Sequence, residues 1–206
     1  RVRSCSLVPF DLALGKATGA VFTRDVDLVA MSGGWTPSVH LSSHRGIKPR
    51  YRDDLGVFVP GGFDAGHAGA GAMVGCQDLA QAVGSGWAAA QEAAAARGLA
   101  LATEAPNAPQ GADLSMAFAT CGPIAAAKAK GKAFVDFQND VTVDDIDLAH
   151  REGYRAVEHL KRYTTLGMGT DQGKTSNLNA LAIMAARRSL GMDVVGTTTF
   201  RPPYTP

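Results

Sequence analysis

Gly173-Lys174-Thr175 places a glycine, a lysine and a hydroxyl in the order that phosphate-binding loops use. The full loop needs G-x-x-x-x-G-K-[ST] after a strand. Here Gly169 is too near Gly173, Gly167 is one residue too far, and a helix is expected before the loop. A nucleotide triphosphatase is therefore excluded. The physics of the piece survives, because backbone N–H groups at a helix start, together with a lysine, can hold an anion. Gly33 and Gly34 are a second candidate contact, since paired glycines let the backbone turn sharply and approach a ligand. The glycines of 69–75 have the wrong spacing for the G-x-G-x-x-G dinucleotide fingerprint. His40, His44, His67, His150 and His159 are scattered, with no convergent set of three metal ligands in view. No G-x-S-x-G elbow is present. The reading assigns no catalytic and no metal-binding residue.

The elements that position these residues follow from pattern. Val26–Met31 is an apolar run stopped by Ser32-Gly33-Gly34, a buried-strand signal. Leu55–Pro60 is a second short strand. The small-residue stretch 67–83 and the alanine-rich 87–101 read as two helices. Lys132–Phe137 is a strand, and Thr142 with Asp145 has the spacing of a capping box. A helix follows and ends at Gly153, a second covers 156–163, and a third covers about 174–188 with Leu178, Leu181, Ile183 and Met184 in the core. The organisation expected is a first unit over 1–100, a linker over 101–130, a small helical unit over 131–200 and an exit linker over 201–206.

Composition sets the outer limits. The 206 residues carry 20 Lys+Arg against 19 Asp+Glu, so there is no broad basic field for nucleic acid. No apolar run is long enough to span a membrane as a helix. Cys5, Cys76 and Cys121 form no C-x-x-C pair, which argues against a structural zinc site or a disulfide framework and for a reducing, cytoplasmic setting. With Arg1 first and a proline-rich final run, both ends read as cut from a longer chain.

Two stretches carry a family resemblance. The first is Asp27-Leu28-Val29-Ala30-Met31-Ser32-Gly33-Gly34-Trp35-Thr36-Pro37, continuing to Ala72-Met73. The second comprises 131–142, 151–168, Asp171-Gln172-Gly173-Lys174-Thr175-Ser176-Asn177 and the run from Gly196 to Tyr204. Together they resemble the alpha subunit of heterotetrameric sarcosine oxidases. The resemblance implies an α/β fold: the end of a Rossmann-like, pyridine-nucleotide-disulfide-oxidoreductase-like dinucleotide domain, then a mainly helical domain like bacterioferritin-associated ferredoxin. It implies an exit towards an aminomethyltransferase-like domain that binds tetrahydrofolate.

The resemblance also implies a function. The family oxidises sarcosine to glycine, hydrogen peroxide and a one-carbon unit, formaldehyde or methylene-tetrahydrofolate, in a complex of alpha, beta, gamma and delta subunits. NAD is held by the alpha subunit, FAD by the beta subunit, and FMN lies near the alpha–beta contact. The family's NAD contacts fall here on Ala72, Gln77 and Leu79, where the last two positions often hold leucine and threonine. Arg162, Thr164, Lys174 and Thr175 are the residues expected near the FMN phosphate. Cluster-bearing relatives place cysteines at positions that fall on Asp136, Gln138, Asp171 and Ser176. None of these is a thiolate, so no iron–sulfur cluster is expected. The chain alone is expected to scaffold cofactors rather than turn over substrate. Two other readings are a subunit of a related N-methyl amine or opine dehydrogenase, and a cofactor-free interaction module.

Overall fold

A computed structural model describes residues 1–11, 14, 16–30, 35–101, 104–108 and 131–201. Gly33, Gly34, Met31, Cys121, most of the expected 101–130 linker and residues 202–206 lie outside them. The described residues mix strand and helix. All strand pairs are antiparallel and two-stranded: β1 (Ser4–Leu7) with β4 (Phe22–Asp25), β2 (Phe10–Asp11) with β3 (Lys16–Ala17), β5 (Arg50–Arg52) with β6 (Val57–Val59), and β7 (Phe134–Asp136) with β8 (Val141–Thr142). No helix among the described residues is long and apolar enough to cross a membrane.

The first half departs from the sequence reading in three places. Residues 26–30 form no strand, and Leu28 is 78% exposed. An apolar run gains a ladder only where a neighbouring strand takes its N–H and C=O groups, and none of the described strands does so. The expected 55–60 strand is present as β6, fully buried, and its partner β5 precedes it in a hairpin. After a short helix, α1 (His40–His44), the two helices expected over 67–83 and 87–101 are instead a 3₁₀ turn, Gly71–Val74, and one continuous helix, α2 (Leu79–Ala95). The turn ends because Gly75 takes φ +92°, in the left-handed region. Asp78 then starts the long helix by accepting the Gln81 N–H at 2.7 Å. Gly84 and Gly86 sit inside α2, tolerated at about 1 kcal/mol each relative to alanine.

The second half follows the pattern closely. Thr142 caps α3 (Val143–Arg151), accepting the Asp145 N–H while the Asp145 carboxylate bonds back to the Thr142 N–H at 2.8 Å. Gly153, at φ +94°, closes the helix. A second helix, α4 (Val157–Thr164), buries Val157 and Leu160. The third, α5 (Asn177–Arg188), buries Ala180, Leu181, Ile183 and Met184, and Leu178 is half-buried against the same core. It begins three residues later than expected, because 171–176 form turns. A short helix, α6 (Met192–Val195), follows. The core of this unit holds Ile146, Leu160, Leu166, Leu181 and Met184, and Phe58 of β6 is buried in it too. The hairpin of the first half thus completes the core of the second.

Candidate functional site

Ala72 and Gln77 line one groove of about 420 Å³ with Trp35, Thr36, Pro37, Ser38 and Met73. The groove's floor is set by the 3₁₀ turn, which is pinned to α2: the Gly71 N–H donates to Ser85 Oγ at 2.9 Å, and Ser85 Oγ donates to the Ala82 carbonyl. A Cβ at Gly75 would lie 2.6 Å from Leu55 Cδ1, so Leu55 would have to shift, and the φ of +92° itself favours glycine there. Trp35 is 80% exposed and offers an open aromatic face at the rim. Leu79, the first residue of α2, is exposed and is not among the groove's lining residues.

Arg162 lies in a different depression, of about 360 Å³, with Glu158, Lys161, Met168, Gln172 and Arg201. Lys161 is the residue that sequence reasoning missed. It lies on the α4 face that also carries buried Val157 and Leu160 and is only 7% exposed. Its Nζ donates to the Thr199 carbonyl at 3.0 Å. Burial pushes its pKa below the ordinary lysine value; Glu158 opposes that shift, and Arg201 and Arg162 add to it. Glu158 accepts from the Thr199 N–H and from Arg162 Nη1, the latter at 3.1 Å. Burial alone would raise Glu158, but these bonds and the nearby cations together leave it below its ordinary value. Three cations against one carboxylate leave this depression electropositive. Thr164 serves the chain reversal beside it: its hydroxyl donates to the Leu160 carbonyl at 2.8 Å and accepts the Leu166 N–H at 3.2 Å.

Lys174 and Thr175 sit on the loop that enters α5. Thr175 is bound to Asp171, its hydroxyl 2.8 Å from Oδ2, and Asp171 Oδ1 accepts the Gly173 N–H at 2.9 Å. Lys174 lines a small cavity of about 30 Å³ with His40, Asn177 and Phe200, not the Arg162 depression. It precedes the cap residue Ser176, so it flanks the helix start without belonging to the helix. Asp136, Gln138, Asp171 and Ser176 are brought together around this loop. Asp136 is buried and accepts the Gly167 N–H at 2.8 Å and, from across the loop, Ser176 Oγ at 3.4 Å. Gln138 Oε1 accepts the Asp171 N–H at 3.5 Å. Oxygen-to-N–H and hydroxyl bonds thus tie the four positions to the loop. Among the described residues no three His, Cys, Asp or Glu side chains converge as metal ligands.

The whole cationic depression falls within residues 130–206, and this stretch matches the family described as the sarcosine oxidase A3 domain. The chain is also 44% identical over 189 residues to sarcosine oxidase subunit alpha of Rhizobium meliloti (strain 1021), which covers 91% of this chain. The chain resembles a sarcosine oxidase alpha subunit. Subunit alpha of Corynebacterium sp. (strain U-96) is 39% identical and covers 88% of the chain, and that of strain P-1 is 38% identical. The chain spans about a fifth of the length of these sarcosine oxidase subunits, 19% in each case. Among solved structures, L-proline dehydrogenase from P. horikoshii superposes with a TM-score of 0.62 at 19% identity, covering 90% of this chain and 39% of that one. This shows a shared fold of mixed helix and strand.

Proposed function

We propose that this chain is a cofactor scaffold within a sarcosine oxidase alpha subunit. It holds NAD in the Trp35–Gln77 groove and the phosphate of FMN in the depression beneath Arg162. The observation that carries this reading is the convergence of Lys161, Arg162 and Arg201 on one depression inside the A3-domain match. A doubly charged phosphate suits three cations, two of them guanidinium groups whose forked donors fit phosphate oxygens. The groove suits a dinucleotide's ring: its volume lies in the range of small-molecule sites, Trp35 offers a stacking face, and the short side chain of Ala72 allows close approach. Bound flavin supplies two-electron acceptance. The chain's own residues bind and orient: Lys161 and Arg162 neutralise the anion, Glu158 holds Arg162 in place, and Gln172 fixes the Arg201 backbone. Lys174 and Thr175, which the family resemblance sets near the FMN phosphate, lie on the 171–176 loop outside this depression, with the Thr175 hydroxyl held by Asp171. The amine substrate, FAD and tetrahydrofolate belong to other parts of the complex formed with the beta, gamma and delta subunits.

The test is cofactor content in the enzyme assembled by coexpression with its neighbouring subunits. Sarcosine-dependent peroxide with bound FAD, FMN and NAD and no iron is the expected result. Arg162→Ala should lower FMN retention about tenfold or more, since a hydrogen bond to a charged group contributes about 1.5–3 kcal/mol, and Lys174→Ala should lower it less. Unchanged flavin in both variants would remove FMN from this face. Flavin without sarcosine turnover would redirect the reading to another secondary amine, and an assembly without cofactors would leave an interaction module.

A further inference from the structure

His40 connects the two candidate sites. Thr36 and Pro37 wall both the Trp35 groove and the small cavity beside His40. On the other side, the imidazole lies against the Phe200 ring, with centroids 4.0 Å apart and planes at 41°. Its Nε2 is 3.4 Å from the Gln172 carbonyl oxygen. The Gln172 side chain in turn accepts the Arg201 N–H at 3.2 Å and donates to the Gly169 carbonyl at 3.2 Å. Gln172 and Arg201 wall the cationic depression. One ring, 4% exposed, therefore bears on the segment that shapes the groove and on the residue that shapes the depression.

We propose that His40 is a proton-sensitive joint: neutral, it holds segment 36–44 against the 131–201 unit and keeps groove and depression in register, and protonated, it loosens that contact. Among the described residues, the charged groups that bear on it include Lys174 and Lys161, which oppose a proton there, and Asp171, which favours one. Phe58, Leu178, Leu181 and Phe200, which line the same cavity, contribute no charge. A proton on His40 thus enters a buried contact that also faces Lys174 and Lys161. Burial is the main reason the imidazole titrates below its ordinary value of 6.5, opposed by the contact with the Gln172 carbonyl and assisted by Lys174. The sign follows from linkage. The undocked imidazole takes its proton first, so the docking free energy is full above about pH 6.5 and is lost as the pH falls below it. The joint rests on contacts within the chain and holds whatever the groove and depression bind.

The measurement is amide hydrogen exchange of the intact protein, read by mass spectrometry on peptides covering 36–44 and 196–201. The range is about pH 8 down to about pH 5.5, where imidazoles change charge. After correction for the chemical exchange rate, opening should rise on acidification by up to about tenfold per pH unit, the limit for one linked proton. His40→Phe keeps a ring against Phe200 without a titrating group and should flatten this slope, as should His40→Gln. A flat wild-type profile, or the wild-type slope in both variants, would overturn the proposal. If neither variant folds, the ring resonance of wild-type His40 decides: a midpoint below 6.5 that tracks the opening supports the joint, and one at or above 6.5 refutes it.

Discussion

Asn177 sets how closely the 166–176 loop folds back onto α5. Its side chain, buried, donates to Thr198 Oγ1 at 3.2 Å, and Gly167 and Gly173 pass directly over it. A Cβ at either glycine would collide with the Asn177 amide, and both glycines hold positive φ, +64° and +76°. Gly173→Ala should therefore destabilise the fold by about 1–3 kcal/mol through backbone strain, with a further cost from the clash. Thermal unfolding of the variant measures this. A loss below about 0.5 kcal/mol, the ordinary range of surface substitutions, would show that the loop can move aside. The run Gly173-Lys174-Thr175 looks like phosphate chemistry in the sequence. Its glycine is required by packing, and its threonine hydroxyl is engaged by Asp171.

At the scale of elements, the α3 start is built from both halves of a capping box. Thr142→Ala removes the side-chain acceptor for the Asp145 N–H and should cost about 1 kcal/mol, read as a fall in thermal midpoint. The box is also acid-sensitive. The Asp145 carboxyl lies below its ordinary range because it accepts from the Thr142 hydroxyl and N–H. A lowered carboxyl contributes stability above its unfolded value near 3.8 that is lost as the pH falls through its lower folded value. Asp145→Asn should remove that component of the acid-unfolding curve, and an unchanged curve would mean the carboxylate contributes nothing there. Asp147 and Arg187 tie α3 to α5 through a two-bond ion pair at 2.6 and 2.9 Å. Both side chains are part-exposed, so its contribution is a few tenths of a kcal/mol up to about 1.

At the scale of the whole molecule, Phe58 joins two stretches separated by more than seventy residues of sequence. It meets Tyr51 edge-on with ring centroids 5.1 Å apart and is buried with Val135, Leu181 and Val195. Phe58→Ala should cost about 3–5 kcal/mol and lower the unfolding midpoint of the entire 131–200 unit, not of the hairpin alone. Calorimetry that showed the 131–200 transition unmoved would mean the two stretches fold independently.

The local signals in the second half were legible because each has a short-range cause. Thr142 and Asp145 make their capping box within four residues, Gly153 takes the left-handed turn required just past the end of α3, and Leu181, Ile183 and Met184 recur at helical spacing on α5. The family likeness was legible for a similar reason, since it rests on runs of consecutive residue types. What required the tertiary structure is everything that depends on distant partners. Leu28 and Val29 have strand composition but no described neighbouring strand to pair with, and they are exposed. Gly71 and Gly75 break an otherwise helical stretch because their backbones turn to positive φ, and Gly75 packs directly against Leu55. Lys161 reads as an ordinary helix-surface cation. It becomes a buried one, next to Arg201, only when 199–201 folds back across α4. His40 likewise gains its role only when Phe200 and Gln172 close over it. Sequence alone determined the helices α3, α4 and most of α5, the capping box at Thr142 and the likeness to sarcosine oxidase subunits, because propensity and pattern act over a few residues. The tertiary structure decided which cations share a depression and which histidine is buried, because burial and charge proximity depend on chain segments far apart in sequence.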